Sequence, residues 1–397
     1  MDDYVILRSP GRGTSDFGTP RTRDAGTPGP FETGDGDLMI DVERMDHRDA
    51  IDLAGDPSVQ AFAPSMPMTL HEPFEGENLP ASDAGNTWGI EAIGAHTSDQ
   101  DGAGVVVAVL DTGIDPDHEA FAGVDLVRRN FTAEGDDDTN GHGTHCAGTI
   151  FGRDVNGCRI GVARGVEQAY IAKVLGQGGG GSDTLIQAMQ WALDNGANVI
   201  SMSLGIDFPG YVNALIQQDW PADLATSRAL EGYRANLNLF GAFGELAQMR
   251  GPFGRPTVIV AASGNESRRS INPDYEIAVA PPAAAQDLIA VGALGQGPDG
   301  YAIAPFSNVN VDLAGPGVSV SSAAVGGGLT SLSGTSMATP HVAGAAALWA
   351  QRISTTQGLL TPGAMRARLI GSGTYAGLDP TLGGAAVGTG MVQAPQP

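Results

Sequence analysis

The chain has little that would cross-link it, attract it to nucleic acid or hold it in a membrane. Its 397 residues include only two cysteines, Cys146 and Cys158, too few for a disulfide-framed scaffold and without the spacing of a zinc site. Lysine occurs once, at Lys173, and the 21 basic residues face 45 acidic ones, a net charge of −24. Nucleic acid and anionic lipid both demand a basic surface, so neither is expected as a partner. No stretch offers about 18 uninterrupted apolar residues, and the opening MDDYVILRSPGRG lacks the basic-then-apolar order of a leader peptide. A cytoplasmic location is the expectation, although secretion by a route that needs no such leader would leave the same residues.

What is present is a large apolar fraction, 42%, enough for a sizeable core. Residues 9–37 are rich in Gly, Pro, Thr and Asp with almost no apolar spacing, which predicts a mobile surface segment. YVIL before it reads as a strand, and LMIDVERMDHRDAIDLAGDPSVQAFAP after it as strand, helix and strand. Residues 1–67 are therefore expected to form a small α+β unit, and the polar, Pro/Gly-punctuated stretch 68–87 a linker.

From Trp88 onward the texture changes. Apolar runs at 105–113, 169–176, 197–205, 257–265, 288–294 and 311–317 alternate with helical stretches such as 182–196. This predicts an α/β fold over 88–397, a doubly wound and mostly parallel sheet with its functional groups at the carboxyl ends of the strands.

Four residues stand where such ends open to solvent: Asp111 in VLDTGID, His142 in NGHGTHCAG, Asn265 in AASGNES and Ser336 in SGTSMATPHVAG. Each alone has an ordinary reading, as a turn residue, a structural histidine or a helix cap. Together they match a chemistry. A hydroxyl is a poor nucleophile near neutral pH, an imidazole can take its proton, and a carboxylate fixes the imidazole's tautomer. A carboxamide can donate to the oxyanion that develops.

These four motifs resemble those of the subtilisin-like serine proteases, the subtilases, over roughly residues 86–394. The resemblance implies a serine endopeptidase in which Asp111 orients, His142 acts as base and then acid, Ser336 attacks, and Asn265 binds the oxyanion. It implies polypeptide substrates, a monomer, and no cofactor for catalysis. By the same likeness, Gly178, Gly179 and Gly180 fall on the strand that pairs with substrate, and Ser203, Leu204 and Gly205 on the opposite wall. Ala280 falls at the bottom of the P1 pocket, where a small residue leaves room for a large apolar side chain. The unit 1–67 stands where the family carries a propeptide, so the chain's own N-terminal segment is expected to act as an intramolecular inhibitor, cut off within 68–87.

Two oxygen ligands of the family's tight calcium site read here as Ala120 and Val155. Asp154 and Asn156 nearby are the remaining metal candidates, which leaves room for a structural calcium. Cys146 is expected as a buried thiol under the catalytic His, with a bridge to Cys158 as the alternative. Residues 206–256 form an insertion beside the cleft, either shaping substrate entry or packed away from it. Two alternatives share the same residues: a peptide-processing or macrocyclising subtilase, and a silent subtilase fold that only binds.

Overall fold

The computed structural model describes residues 2–8, 39–77, 85–250 and 256–397. The segment 9–37 lies outside the described residues, as do 78–84 of the stretch read as a linker.

The N-terminal unit consists of β1 (Asp2–Arg8), β2 (Met39–Met45), α1 (His47–Asp52) and β3 (Val59–Pro64), its strands antiparallel in the order β2-β1-β3. Alternation along β1 splits its side chains between two cores. Tyr4 and Ile6 pack with Met45 and Ala50 inside the unit. Val5 and Leu7 face the large domain and join its core. Asp46 starts α1 by accepting from the backbone N–H groups of Arg48 and Asp49 at 2.8 and 3.0 Å.

The chain then enters the large domain through β4 (Pro67–Leu70) and β5 (Phe74–Glu75). Next come α2 (Trp88–Ala92), β6 (Val106–Asp111), β7 (Asp125–Asn130), α3 (His142–Phe151), β8 (Gln168–Lys173), β9 (Gly180–Gly181), α4 (Ser182–Asp194), β10 (Val199–Met202) and β11 (Leu204–Ile206). The insertion supplies α5 (Phe208–Gln217) and α6 (Ala222–Arg250). The chain continues through β12 (Val258–Ala262), β13 (Ile289–Gly297), β14 (Gly300–Ile303), β15 (Leu313–Pro316), β16 (Val320–Ala323) and β17 (Leu329–Ser333), and ends with α7 (Thr335–Gln357), α8 (Pro362–Gly371) and α9 (Gly384–Val387).

The central sheet runs β14-β13-β12-β10-β6-β8-β7 with β15 also on β13, and only β14 is antiparallel. Its strands are apolar on both faces. In β6, Val107 and Val109 enter the core beneath α3 and α7, while Ala108 and Leu110 enter the core beneath α4 and α6. The strand order reverses around β6, which opens a crevice at the carboxyl ends of β6 and β10.

The stretch 68–87 departs from the expectation of a linker. Residues 67–70 form β4, which pairs antiparallel with β11 on one side and β9 on the other, and β5 pairs with β17. Polar, Pro-broken sequence does not prevent this, because the pairing partners are edge strands brought in by the rest of the fold. The insertion packs on the N-terminal unit. Helix α6 packs along β3, and the buried Asn236 donates to Pro64 O at 2.9 Å.

Candidate active site

The strand-end residues converge on the crevice. Asp111, the last residue of β6, accepts at Oδ1 from its neighbour's N–H (Thr112) and from His142 Nδ1, both at 2.8 Å. His142 opens α3 and is buried. Burial, the strongest influence on the ring, favours its neutral form, yet the carboxylate of Asp111 and the sulfur of Cys146 hold its pKa well above the ordinary value. The imidazole is thereby a stronger base than a free one.

The start of α3 is held by a residue that sequence reasoning missed. Asp138 is buried and accepts from Thr112 Oγ1 (3.0 Å), Gly141 N (2.9 Å), and Thr144 N and Oγ1 (2.9 and 2.7 Å). Burial alone would raise its pKa, but these donors outweigh it and lower the value. The only hint in sequence was an acidic residue shortly before a helix start, inside a run of three.

Ser336 is the second residue of α7, a helix with Pro340 inside it. Proline has no N–H to give the carbonyl four residues back. That carbonyl is Ser336 O, and it accepts instead from Ser203 Oγ at 3.2 Å and Cys146 Sγ at 3.4 Å. Asn265 is aligned by Thr335, whose N–H and Oγ1 donate to Asn265 Oδ1 at 2.9 and 2.8 Å. Its amide nitrogen is therefore turned into the crevice.

The crevice is filled by the chain itself. Asn265 Nδ2 donates to His71 O at 3.2 Å and Glu72 O at 3.1 Å. Ser336 Oγ lies 3.4 Å from His71 O and 3.3 Å from Ser203 O. In this rotamer the hydroxyl does not reach His142, whose Nε2 is buried without a hydrogen-bond partner. The peptide group after His71 thus sits between hydroxyl and carboxamide, and β4 and β5 lead to and from it.

The walls of the crevice are the strands that pair with β4. Met68 pairs with Gly180 and Pro67 with Gly181, while Leu70, Thr69 and Met68 pair with Leu204, Gly205 and Ile206. Gly179 adopts φ +84°, and a Cβ there would come within 2.6 Å of Met68 O. A Cβ on Gly178 would meet only open space. The side chain that enters the pocket beside this carbonyl is His71, whose Nδ1 lies 3.3 Å from Glu266 Oε1. Pro281, next to Ala280, contributes to the wall, its carbonyl accepting from Ile206 N at 3.1 Å.

The metal candidates do not come together. Asp154 faces the guanidinium of Arg164 at 3.3 Å, and Asn156 sits in a turn with φ 51°. Ala120 and Val155 are buried hydrocarbon, and the buried Arg159 donates to Gly161 O and Val162 O at 3.1 and 3.0 Å. An internal cation thus occupies carbonyls of that loop, and its residues do not fit a tight calcium site. Among the described residues, the one group of three metal-ligating types is Asp111, His142 and Cys146, whose imidazole and carboxylate already bind each other. Both cysteines are free thiols, and Cys146 is buried.

The sequence profile of the subtilase family, peptidase family S8, matches residues 102–385. This chain belongs to the subtilase family. It is similar to subtilisin Savinase of Lederbergia lenta, 37% identical over 67% of this chain and 84% of that protein. An alkaline protease of Alkalihalobacillus alcalophilus matches with the same identity and share of this chain, which spans 60% of its length. The subtilisin-like serine protease Pen ch 13 of Penicillium rubens is 30% identical over 87% of this chain and 80% of its own, so that likeness begins well ahead of residue 102. As a subtilase the chain is a subtilisin-like serine endopeptidase with the α/β fold of that family, and its substrates are polypeptides.

Proposed function

We propose that this subtilase cuts peptide bonds through an acyl-enzyme on Ser336, with His142 as base and acid, Asp111 as its orienting carboxylate and Asn265 as oxyanion donor, and that its first substrate is its own His71–Glu72 bond. The observation that carries the reading is the His71 carbonyl held at Ser336 Oγ and Asn265 Nδ2, in a segment paired to the walls on both sides of the bond.

Rotation of the Ser336 hydroxyl toward His142 Nε2 begins the reaction. Oγ adds to the His71 carbonyl carbon as its proton passes to Nε2, and the oxyanion is held by Asn265 Nδ2. The bond to the Glu72 nitrogen breaks, and that nitrogen takes the proton from His142. Water then adds to the ester, its proton going to His142 and from there to Ser336 Oγ, which frees the His71 carboxyl group. The residues present call for no metal in any step.

The N-terminal unit acts as an inhibitor because β4 fills the cleft while β1 and β3 are anchored on the far side of the sheet. The enzyme works as a monomer, since one chain supplies both cleft and occupant. Intact-mass analysis and N-terminal sequencing test the reading: wild-type protein should yield a fragment beginning at Glu72, and Ser336→Ala should remain full length. A first wild-type fragment that begins at a residue other than Glu72, or processing of the alanine variant at the wild-type rate, would overturn it.

A further inference from the structure

The segment after the scissile bond has a seat of its own. Phe74 and Glu75 pair with Ser333 and Leu332 of β17, Gly76 N–H donates to Ser331 O at 3.0 Å, and Ser331 Oγ donates to Glu77 O at 2.8 Å. Glu77 N–H donates to Ser319 Oγ at 3.1 Å. Ser319 itself is held in the left-handed region, φ 50°: its N–H donates to Ser333 Oγ at 2.9 Å, and Trp88 Nε1 donates to its carbonyl at 3.3 Å. A residue with a side chain rarely adopts that conformation, and such costs gather where a ligand is clamped. The Phe74 ring lies on that of Phe306, centroids 5.0 Å apart. The fit is closest at Gly76, where a Cβ would stand 2.7 Å from Ser331 Oγ and 2.9 Å from Ser319 Cα.

Every partner just named belongs to the catalytic part, so scission before Glu72 breaks none of these bonds. Gly85, separated from the strand by residues 78–84 alone, is fixed again, its carbonyl accepting from Arg159 N at 2.6 Å. Resting on the cut proposed above, we infer that residues 72–77 stay on β17 after the N-terminal unit leaves, as a strap that occupies the leaving-group half of the cleft in the matured enzyme. A polypeptide substrate needs that place for the residues that follow its own scissile bond. It meets a tethered rival whose local concentration is in the millimolar range. Any residue but glycine at the fifth position past the bond also meets Ser331 and Ser319, as a Cβ on Gly76 would. Substrates with no residue beyond the scissile bond are spared this competition. The strap therefore weakens the binding of long substrates without touching the chemistry at Ser336, and its effect belongs in KM.

The test takes the matured enzymes from wild type, Phe74→Ala and Gly76→Ala and gives each two substrates, PMTLH p-nitroanilide and the peptide PMTLHEPFEGE, the chain's own residues 67–77. The ratio of kcat/KM for the peptide to that for the anilide should rise about tenfold in each variant, through a lower KM for the peptide. Hydrogen exchange on the matured wild type needs no variant to fold. There the amides of Gly76 and Glu77 should exchange at least about tenfold more slowly than in the free peptide. Exchange at the free-peptide rate, or a ratio that neither variant raises, overturns the inference. N-terminal sequencing separates the two levels. A first cut elsewhere than before Glu72 rejects the proposed cut and the strap with it, whereas a matured chain that begins at Glu72 and exchanges freely at 76–77 rejects the strap alone.

Discussion

Helices α3 and α7 cover one face of the central sheet and α4 and α6 the other, and the two faces are held by different forces. On the first, every residue of α3 and most of α7 are buried, and Ser336 O is paired within the domain by Ser203 and Cys146. On the second, α6 meets the N-terminal unit partly through ions. Arg228 donates to Asp2, Tyr4 and His47 and pairs with Glu231; Asp2, His47 and Glu231 are about half exposed, whereas Tyr4 is buried. A cavity of about 430 Å³, lined by Tyr4, Ile51, Val59, Arg228 and Ala235 among others, remains at that junction. The first face is packed to hold reacting groups in register. The second joins two units through the buried apolar contacts of Val5 and Leu7, with partly exposed ion pairs at its edge that add little to its cohesion.

The comparison breaks most visibly at Ser336. Ser336→Ala should lower kcat on a peptide substrate by about 10⁴–10⁶, the range known for removal of the nucleophile in this family, with the fold unchanged by circular dichroism. Asn265→Ala should cost roughly 10²–10³ in kcat, the size known for loss of one oxyanion donor in subtilisins, and a loss confined to KM would contradict its role.

Acid should act on the catalytic face first. His145 and His341 are buried there, and burial, the dominant cause, lowers their pKa values to about 3 and about 4. Both are neutral in the folded and unfolded states above about pH 6.5. Below it the unfolded chain takes up protons that the folded one refuses, so stability is lost as pH falls, by up to about 1.4 kcal/mol per histidine per pH unit. Urea unfolding of the Ser336→Ala chain at pH 7.0, 6.0 and 5.0 checks this, and midpoints that stay constant would contradict it.

On the docking face, Arg228→Ala should weaken inhibition in trans by the separated N-terminal unit about tenfold, while the kcat of the matured enzyme stays the same. The smallest effect is expected from EDTA. With Asp154 tied to Arg164 and Ala120 and Val155 offering no oxygen, chelation should lower the melting temperature by a few degrees at most, and a large fall reversed by micromolar calcium would reveal a site elsewhere.

The same division describes what could be read from sequence. Strands buried on both faces appear as continuous apolar runs, and the residues at their ends sit in short local motifs, so the sheet and the four crevice residues were legible. Asp138 was not, because nothing local distinguishes it from Asp136 and Asp137 beside it; only the fold turns its carboxylate under α3. β4 and β5 were read as linker because their partners β9, β11 and β17 lie 100 or more residues away and lend them a conformation their own side chains do not dictate. The apolar P1 expectation looked to Ala280. The group that meets His71 is Glu266, which in sequence is one more acidic residue at a turn.

The way β4 and β5 flank the His71–Glu72 bond has a kinetic consequence. On the proposed reading the two ends of the bond belong to different bodies once it is cut: β4 departs with the N-terminal unit, while β5 stays covalently attached to the catalytic part and is paired with β17. The first event is then unimolecular, and its half-life should not change on dilution. Release of the unit is a dissociation, slow because the cleft strand and the α6 junction must let go together. Destruction of the released unit by an already free enzyme is bimolecular and feeds on its own product. Activity should therefore rise after a lag that shortens with protein concentration, although the cut that starts the clock does not depend on concentration at all.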